Sequence, residues 1–493
     1  MKCELINCNE NIQTKYPDKN GHNYCIFHTQ NDDKLAAFLE KIKEKFKKED
    51  KPGNIARMDY FYFPSGFSFN EDFRLSESDI VFNDAYFNNV NFSGIEFKGA
   101  IEFNNCTFTG EIRFDDIKFY SNMKLISATF KDSLKIRDIV FKSDASFDFT
   151  IFQGPLLIEK TVFCNKASFL KAEFYKEAVI SKCLFFSSST FERLDFNSSQ
   201  FILKDCSFFE YTTFQNNDLT HFKFVRCLLN KVSFLGSNVK ETQFLNCDWD
   251  LQKKSYLVKS KLDEISEFTL LKESEILTLK EEIKSNLKRS RNRSWDKISR
   301  RLVLIDEANL KQKKSKWIKE KTADTYKEGT IFEEVADVYR QLKINMDNRR
   351  QFHLSDQFYC GEMEMQYEIR KNAGMSRILL YFYRMIGYGN RPVKTILYFF
   401  AFMFIFSAIV YIPNFNEIKN IFDGTNRAIL SIQELFTFMI YNITAPFFIG
   451  GQTSIFEPLT SSAALQIAFI QTIIRPLFLA FVIWSAQRKV FRS

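Results

Sequence analysis

Residues 82–130 read FNDAYFNNVNFSGIEFKGAIEFNNCTFTGEIRFDDIKFYSNMKLISATF, and the spacing of the large apolar side chains in this stretch decides the fold. Phe82, Phe87, Phe92 and Phe97 stand five apart, and the step then alternates six and five through Phe103, Phe108, Phe114, Phe119, Leu125 and Phe130. A helix repeats its faces every 3.6 residues and a strand every two, so a five-residue step belongs to neither. The register continues to Phe196, is disturbed around Phe201 and Phe208, and resumes from Phe214 to Trp249. Two residues before these positions stand small or slim side chains, among them Ala85, Val90, Ile95, Cys106 and Ile112. A backbone that turns a corner at each step, with one bulky and one small side chain pointing inward per face, makes a square-section solenoid with a column of Phe rings as its core. Coils of about 20 to 22 residues would give about eight turns, a rod ~40 Å long at the ~4.8 Å spacing of neighbouring strands.

This pattern resembles the pentapeptide-repeat family, whose fold is a right-handed quadrilateral β-helix, and the resemblance covers residues 58–250. Cys106, Cys183, Cys206, Cys227 and Cys247 all fall in the small slot, where free cysteine acts as a small hydrophobe rather than a metal or redox group.

Composition agrees with an ordered, aromatic-cored chain. Of 493 residues 57 are Phe, against 16 Gly and nine Pro, which excludes collagenous and low-complexity classes. Ten cysteines without dense pairing, and no secretory leader read at the N-terminus, argue against a disulfide scaffold and for a reducing compartment. No Ser/His/Asp set, Gly-rich phosphate loop or paired carboxylates stand out, so no enzymatic activity is expected.

Outward from the array, residues 1–30 form a head with Cys3, Cys8, Cys25 and His28 in C-x4-C-x16-C-x2-H spacing. Two close pairs separated by a loop suit tetrahedral structural zinc, and so short a segment has too little core to order itself without a metal. Four protein ligands would leave no open position for catalysis, and His22 competes with His28 as the fourth. Residues 31–57 read as a linker helix.

Beyond the array, residues 251–330 read as basic amphipathic helices: Lys253–Lys321 holds 20 Lys/Arg against 11 Asp/Glu. A solvated face is the first expectation, with an anionic lipid surface or another cytoplasmic partner as the functional reading. Nucleic acid is disfavoured, because aromatic interleaving is sparse and the array lacks the strongly acidic surface that mimicry of nucleic acid would need. Residues 331–390 form a helical connector in which His353, Glu362 and Glu364 read as a solvated helix face. Its YRQL (339–342) and FYCGEME (358–364) segments, and ILLYFYRMIGYGNRPVKTILYF (378–399) after them, resemble helices of a membrane-anchored bacterial branch of the pentapeptide family.

Residues 391–493 carry two long apolar runs, Val393–Ile412 and Ala463–Ala486, either of which would span a ~30 Å hydrocarbon core. Between them Ile429–Tyr441 is too short to span. Two transmembrane helices around a re-entrant helix resemble the two-transmembrane pore domain of the potassium-channel type appended to some bacterial pentapeptide-repeat proteins, including Pro458-Leu459-Thr460 entering the last helix. The resemblance implies a homo-oligomer, by analogy a tetramer. Where a TxGxG filter is expected, the chain has Thr444, Ala445, Pro446, Phe447, Phe448, Ile449 and Gly450, which departs from potassium selectivity. Arg475 falls mid-run, where a charge calls for a pore or a protein partner. Basic flanks (Arg391, Lys394, Arg488, Lys489, Arg492) against an acidic connection place both termini on the cytoplasmic side of the plasma (inner) membrane. The expected function is an oligomeric ion-channel-like protein with a cytoplasmic sensing or gating solenoid; the alternative is a membrane-tethered scaffold with a non-conducting pore fold.

Overall fold

The computed structural model describes residues 3–249 apart from short breaks, of which 11–17 and 70–76 are the longest, then 302–311 and 328–411 with brief breaks, and scattered positions elsewhere. The chain divides into two units, Met1–Arg349 and Arg350–Ser493.

The first unit is a β-solenoid of about 8 turns over residues 55–245. The coil 101–119 shows its plan. Strands Ile101–Asn104 and Thr107–Thr109 form two faces, and Ile112–Phe119 bends at Asp116 to supply the other two. Each face pairs in parallel with the equivalent face of the next coil, so that Ile112 lies beside Leu134, Leu134 beside Leu156, and Leu156 beside Ala178, a 22-residue coil. The coil then shifts to 23 residues at Ala178↔Phe201, where the sequence periodicity is disturbed, and is 20 at Lys223↔Gln243, where the step is a uniform five.

Because like residues stack on like, ring lies on ring. Phe103 is 4.9 Å from Phe82, Phe108 is 4.4 Å from Phe130, and Phe147 is 4.5 Å from Phe169, each pair nearly parallel. Burial of these rings supplies the dominant stabilising term. Two corners are turned by residues in the left-handed region: Asn105, Ser127, Phe149, Lys171 and Arg193 lie 22 apart with φ between 52° and 58°, and Asp116, Asp138, Lys160 and Lys182, also 22 apart, have φ between 47° and 58° on another edge. Asn and Asp tolerate this conformation; for Phe149 and Lys171 the coil above and below enforces it.

Both ends of the rod are covered. At the N-terminal end α1 (Leu35–Glu49) lays Phe38, Ile42 and Phe46, one stripe at four-residue steps, over the first coil, with Phe38 edge-on to Phe63 and Phe67 at 5.4 and 5.5 Å. The segment read as a linker helix therefore holds a lid. At the other end the Phe column stops on Trp249, 5.0 Å from Phe244. There α2 (Ile305–Lys311) and α3 (Glu328–Asn348) pack on the array, burying Val335, Tyr339, Leu342 and Met346. Within 305–311 the expected solvated face is not seen: Asp306 and Glu307 are buried and bonded to the Tyr211 and Tyr339 hydroxyls at 3.1 and 2.5 Å. Tyrosine hydroxyls on the array and on α3 offset the desolvation of both carboxylates.

The second unit contains α4 (Phe352–Ile369), α5 (Met375–Met385) and α6 (Pro392–Tyr411). Glu362 and Glu364, expected on a solvated face, are buried on α4; Glu364 accepts from Arg384 and Tyr388, both at 3.0 Å, which offsets its loss of water. Among the described residues no helix is long and apolar enough to cross a membrane. The re-entrant helix, the second apolar run and most of 251–330 lie outside the described residues.

Candidate metal centre

Two short turns bring the head's ligands together. Cys25 begins a tight turn in which the His28 and Thr29 backbone N–H groups donate to the Cys25 carbonyl at 3.1 and 3.0 Å, and the Thr29 hydroxyl joins them at 2.8 Å. That turn aims Cys25 Sγ and His28 Nδ1 the same way, 3.1 Å apart. Opposite them the Cys3 backbone N–H donates to the Glu10 carbonyl and the Cys8 N–H to the Leu5 carbonyl, which makes a second knuckle.

One ligand atom from each of Cys3, Cys8, Cys25 and His28 lies within 4.8 Å of all the others. Cys8 Sγ is 3.8 Å from Cys25 Sγ, and Cys3 Sγ is 3.5 Å from His28 Nδ1. A tetrahedron with Zn–S of ~2.3 Å and Zn–N of ~2.0 Å has edges of about 3.5 to 3.8 Å, so the donor set fits zinc in type and number, and the Cys8–Cys25 and Cys3–His28 separations already match its edges. His22, the competing ligand, is exposed, stacked on Tyr24 at 5.1 Å and 3.9 Å from Glu4.

The surroundings hold this geometry. The Cys25 N–H points at Cys3 Sγ, 3.3 Å away, the kind of donor that steadies a metal thiolate. Burial holds the His28 imidazole low, at about 4, with its ring bonded to the Asp59 backbone of the first coil. Neutral imidazole is the form that ligates. Burial also pushes the Cys8 and Cys25 thiols up, so a metal would displace their protons on binding.

Sequence reading missed the residues that fasten the head to the rod. Lys34 is fully buried and donates from Nζ to the Ile26 carbonyl at 2.6 Å, with the Phe38 ring 4.9 Å away. Burial pushes its ammonium down to about 7, against the charges of Cys25, Asp32 and Asp18. Asp32 accepts from the Tyr62 hydroxyl, the Ser65 N–H and the Asn88 amide at 3.0, 2.9 and 3.0 Å. Burial raises the Asp32 carboxyl, but the three donors together hold it below its usual range. Neither residue announces itself in sequence, because a lysine and an aspartate at a helix start read as ordinary first-turn charges. The ring of Phe27 on Phe61, at 4.8 Å, and the bond from the Tyr62 N–H to the Phe27 carbonyl at 2.8 Å complete the joint.

The cysteines of the array stay apart from this centre. Cys106, Cys183, Cys206 and Cys227 are fully buried in the small slot, and Cys247 is half-buried. The candidate pore residues Thr444, Ala445, Pro446, Phe447, Phe448, Ile449, Gly450 and Arg475 lie outside the described residues.

Comparison with known proteins agrees with the rod and reaches no further. Residues 82–124 match the family model described as Pentapeptide repeats (9 copies). No curated protein and no solved structure matches the chain.

Proposed function

We propose that this chain is an oligomeric membrane protein whose 391–493 segment forms an ion-channel-like pore, with a filter unlike the potassium type, and whose zinc-capped solenoid is its cytoplasmic sensing or gating domain. The observation that carries the membrane part is α6, which leaves Val393, Leu397, Phe400 and Ile405 exposed among the described residues, at the start of the apolar run Val393–Ile412, whose one charge, Lys394, stands at its edge. Exposed apolar side chains at such density call for lipid or protein cover. The pore part rests on the sequence layout of two apolar runs about a short one; a re-entrant segment of that kind would need an oligomer to shelter its backbone. Current recording from the reconstituted full chain, with ion substitution, is the test. A selective current supports the channel; inserted protein that passes none removes it.

A second reading, a membrane-tethered scaffold, is favoured by Thr444–Gly450, which lacks the filter glycines, and by the covered ends of the rod, which leave its lateral faces as the surface for a partner.

A further inference from the structure

In α5 the usual arrangement of an amphipathic helix is turned inside out. Its polar side makes the protein contacts: Arg384 Nε donates to Glu364 of α4 at 3.0 Å, the Tyr383 and Tyr359 hydroxyls meet at 3.0 Å, and the Arg377 and Arg384 guanidinium groups lie 5.6 and 5.0 Å over the Tyr367 ring. Just past α5, Tyr388 fixes the same carboxylate at 3.0 Å from a turn in which Gly387, Tyr388 and Gly389 all have positive φ. The helix is thus clamped in rotation. Its other side, Met375, Ile378, Leu379 and Phe382 at three- and four-residue steps, with Tyr381 beside them, faces outward and is 48 to 71% exposed. No residue of α5 is buried.

A helix held by its polar side, with its apolar side outward, is built for a medium other than water. Charge says which. From residue 370 to 394 the chain has no Asp or Glu and six Lys/Arg, of which Arg377 and Arg384 are taken up by α4, while Arg370, Lys371, Arg391 and Lys394 flank the helix in sequence. The exposed apolar side chains resume at Val393 and Leu397, the first of them eight residues beyond the end of α5 at Met385. An apolar stripe in a wholly basic segment that leads into an apolar run fits an anionic bilayer surface better than a protein groove.

We propose that α5 lies along the surface of an anionic lipid bilayer, with Met375, Ile378, Leu379 and Phe382 at the boundary between headgroups and acyl chains. This rests on the membrane reading of the C-terminal segment and adds a collar, a point at which movement of the α4–α5 pair would be read against the plane of the bilayer.

The test places trifluoromethyl-phenylalanine at Phe382, at Ser376 or at Phe400, one position at a time, in the full chain reconstituted in vesicles of equimolar phosphatidylcholine and phosphatidylglycerol. Fluorine relaxation is read with dissolved oxygen, which concentrates in acyl chains, and with a water-soluble nickel chelate. The expected result is oxygen enhancement with loss of the nickel effect at 382, and the reverse at 376. Nickel enhancement at 382 while 400 responds to oxygen alone overturns the collar and leaves the membrane reading standing. Nickel enhancement at both 382 and 400 removes the membrane reading as well. Protection of 382 from both reagents means that protein covers the stripe, and that too overturns the proposal.

Discussion

Gln341 of α3 accepts a hydrogen bond from the Val239 backbone N–H at 2.8 Å, a contact across 102 positions of sequence. One turn on, the Asn345 amide nitrogen donates to the carbonyls of Val239, Lys240 and Thr242 at 2.8, 2.9 and 2.8 Å, and Arg349 reaches the Glu241 and Thr242 carbonyls. These side chains stand where a further coil would otherwise supply backbone partners. An open coil end is a row of unpaired N–H and C=O groups, which invites end-to-end association, and α3 closes it.

Asn345→Ala should therefore cost more than an ordinary surface change, about 2 to 4 kcal/mol, since up to three carbonyls lose a donor at once and each buried unsatisfied group costs ~1 to 3 kcal/mol, discounted for water entry. Hydrogen exchange should show lost protection confined to residues 239–245 and the coil beneath. Unchanged exchange there would mean that α3 does not close the rod.

At the opposite end the full chain should bind one equivalent of Zn(II), detected by mass spectrometry of the native protein. Cys25→Ser should abolish binding, while His22→Ala should leave it intact. Because raised thiol pKa values mean protons must leave as the metal enters, uptake should release protons and weaken as pH falls. Chelation should loosen α1 and the first coil and leave the central coils protected.

Phe147→Ala removes a fully buried ring stacked on Phe169 at 4.5 Å and should cost ~3 to 5 kcal/mol in chemical unfolding. Two nearby aspartates serve as controls. Asp144 accepts one bond from the Lys166 N–H at 3.3 Å, so its replacement by Ala should cost under about 1 kcal/mol. Asp148 accepts from the Ser168 hydroxyl at 2.5 Å and the Leu170 N–H at 2.9 Å, and should cost about twice as much. Equal effects from Phe147 and Asp144 would contradict the register.

The Phe column was legible because stacking repeats one side-chain choice at each coil, so periodicity survives in composition. The cluster of Cys3, Cys8, Cys25 and His28 was legible through isolation, since no other cysteine lies between Cys25 and Cys106. The corners were not: Phe149, Lys171 and Arg193 hold left-handed backbone without the glycine that would have signalled it, because neighbouring coils impose the turn. Nor was the closing role of Gln341 and Asn345, since two amides on a helix acquire meaning only from carbonyls a hundred residues away. Asp306, Glu307 and Glu364 were misread for the same reason, their partners being tyrosines and an arginine remote in sequence or on another helix.

Arg475→Gln tests the pore reading directly. A charge within an apolar run costs at least ~2.5 kcal/mol to insert at the centre, so it should face a pore or a protein partner. If it lines the axis, oligomeric symmetry makes a ring that repels cations, and the substitution should shift the reversal potential toward cations or open a silent channel. An unaltered current would remove Arg475 from the pore and strengthen the scaffold.

The small slot makes a finer demand than its size. Thr150, fully buried, donates its hydroxyl to the Leu125 carbonyl of the coil below at 2.5 Å. Ser199, Ser237 and Thr242 do the same to Phe174, Phe214 and Leu219 at 3.0, 2.7 and 2.8 Å, and the thiols of Cys106, Cys206 and Cys227 do so more loosely to Phe82, Ile180 and Leu203 at 3.3 to 3.4 Å. Where the slot holds a hydroxyl or a thiol, the side chain thus finds a carbonyl of the coil below, which explains how cysteine is accommodated there without a disulfide or a metal. Ala128 and Ala172, one coil before and after Thr150, show that a methyl fits but offers no bond. Thr150→Val keeps shape and volume while taking the donor from a buried carbonyl, and should cost about 1 to 3 kcal/mol. Thr150→Ser and Thr150→Cys should each cost less than Val, Cys the more of the two because a thiol donates weakly. Chemical unfolding of the full chain in detergent gives the order, and Val as stable as Ser would show that the slot reads size alone.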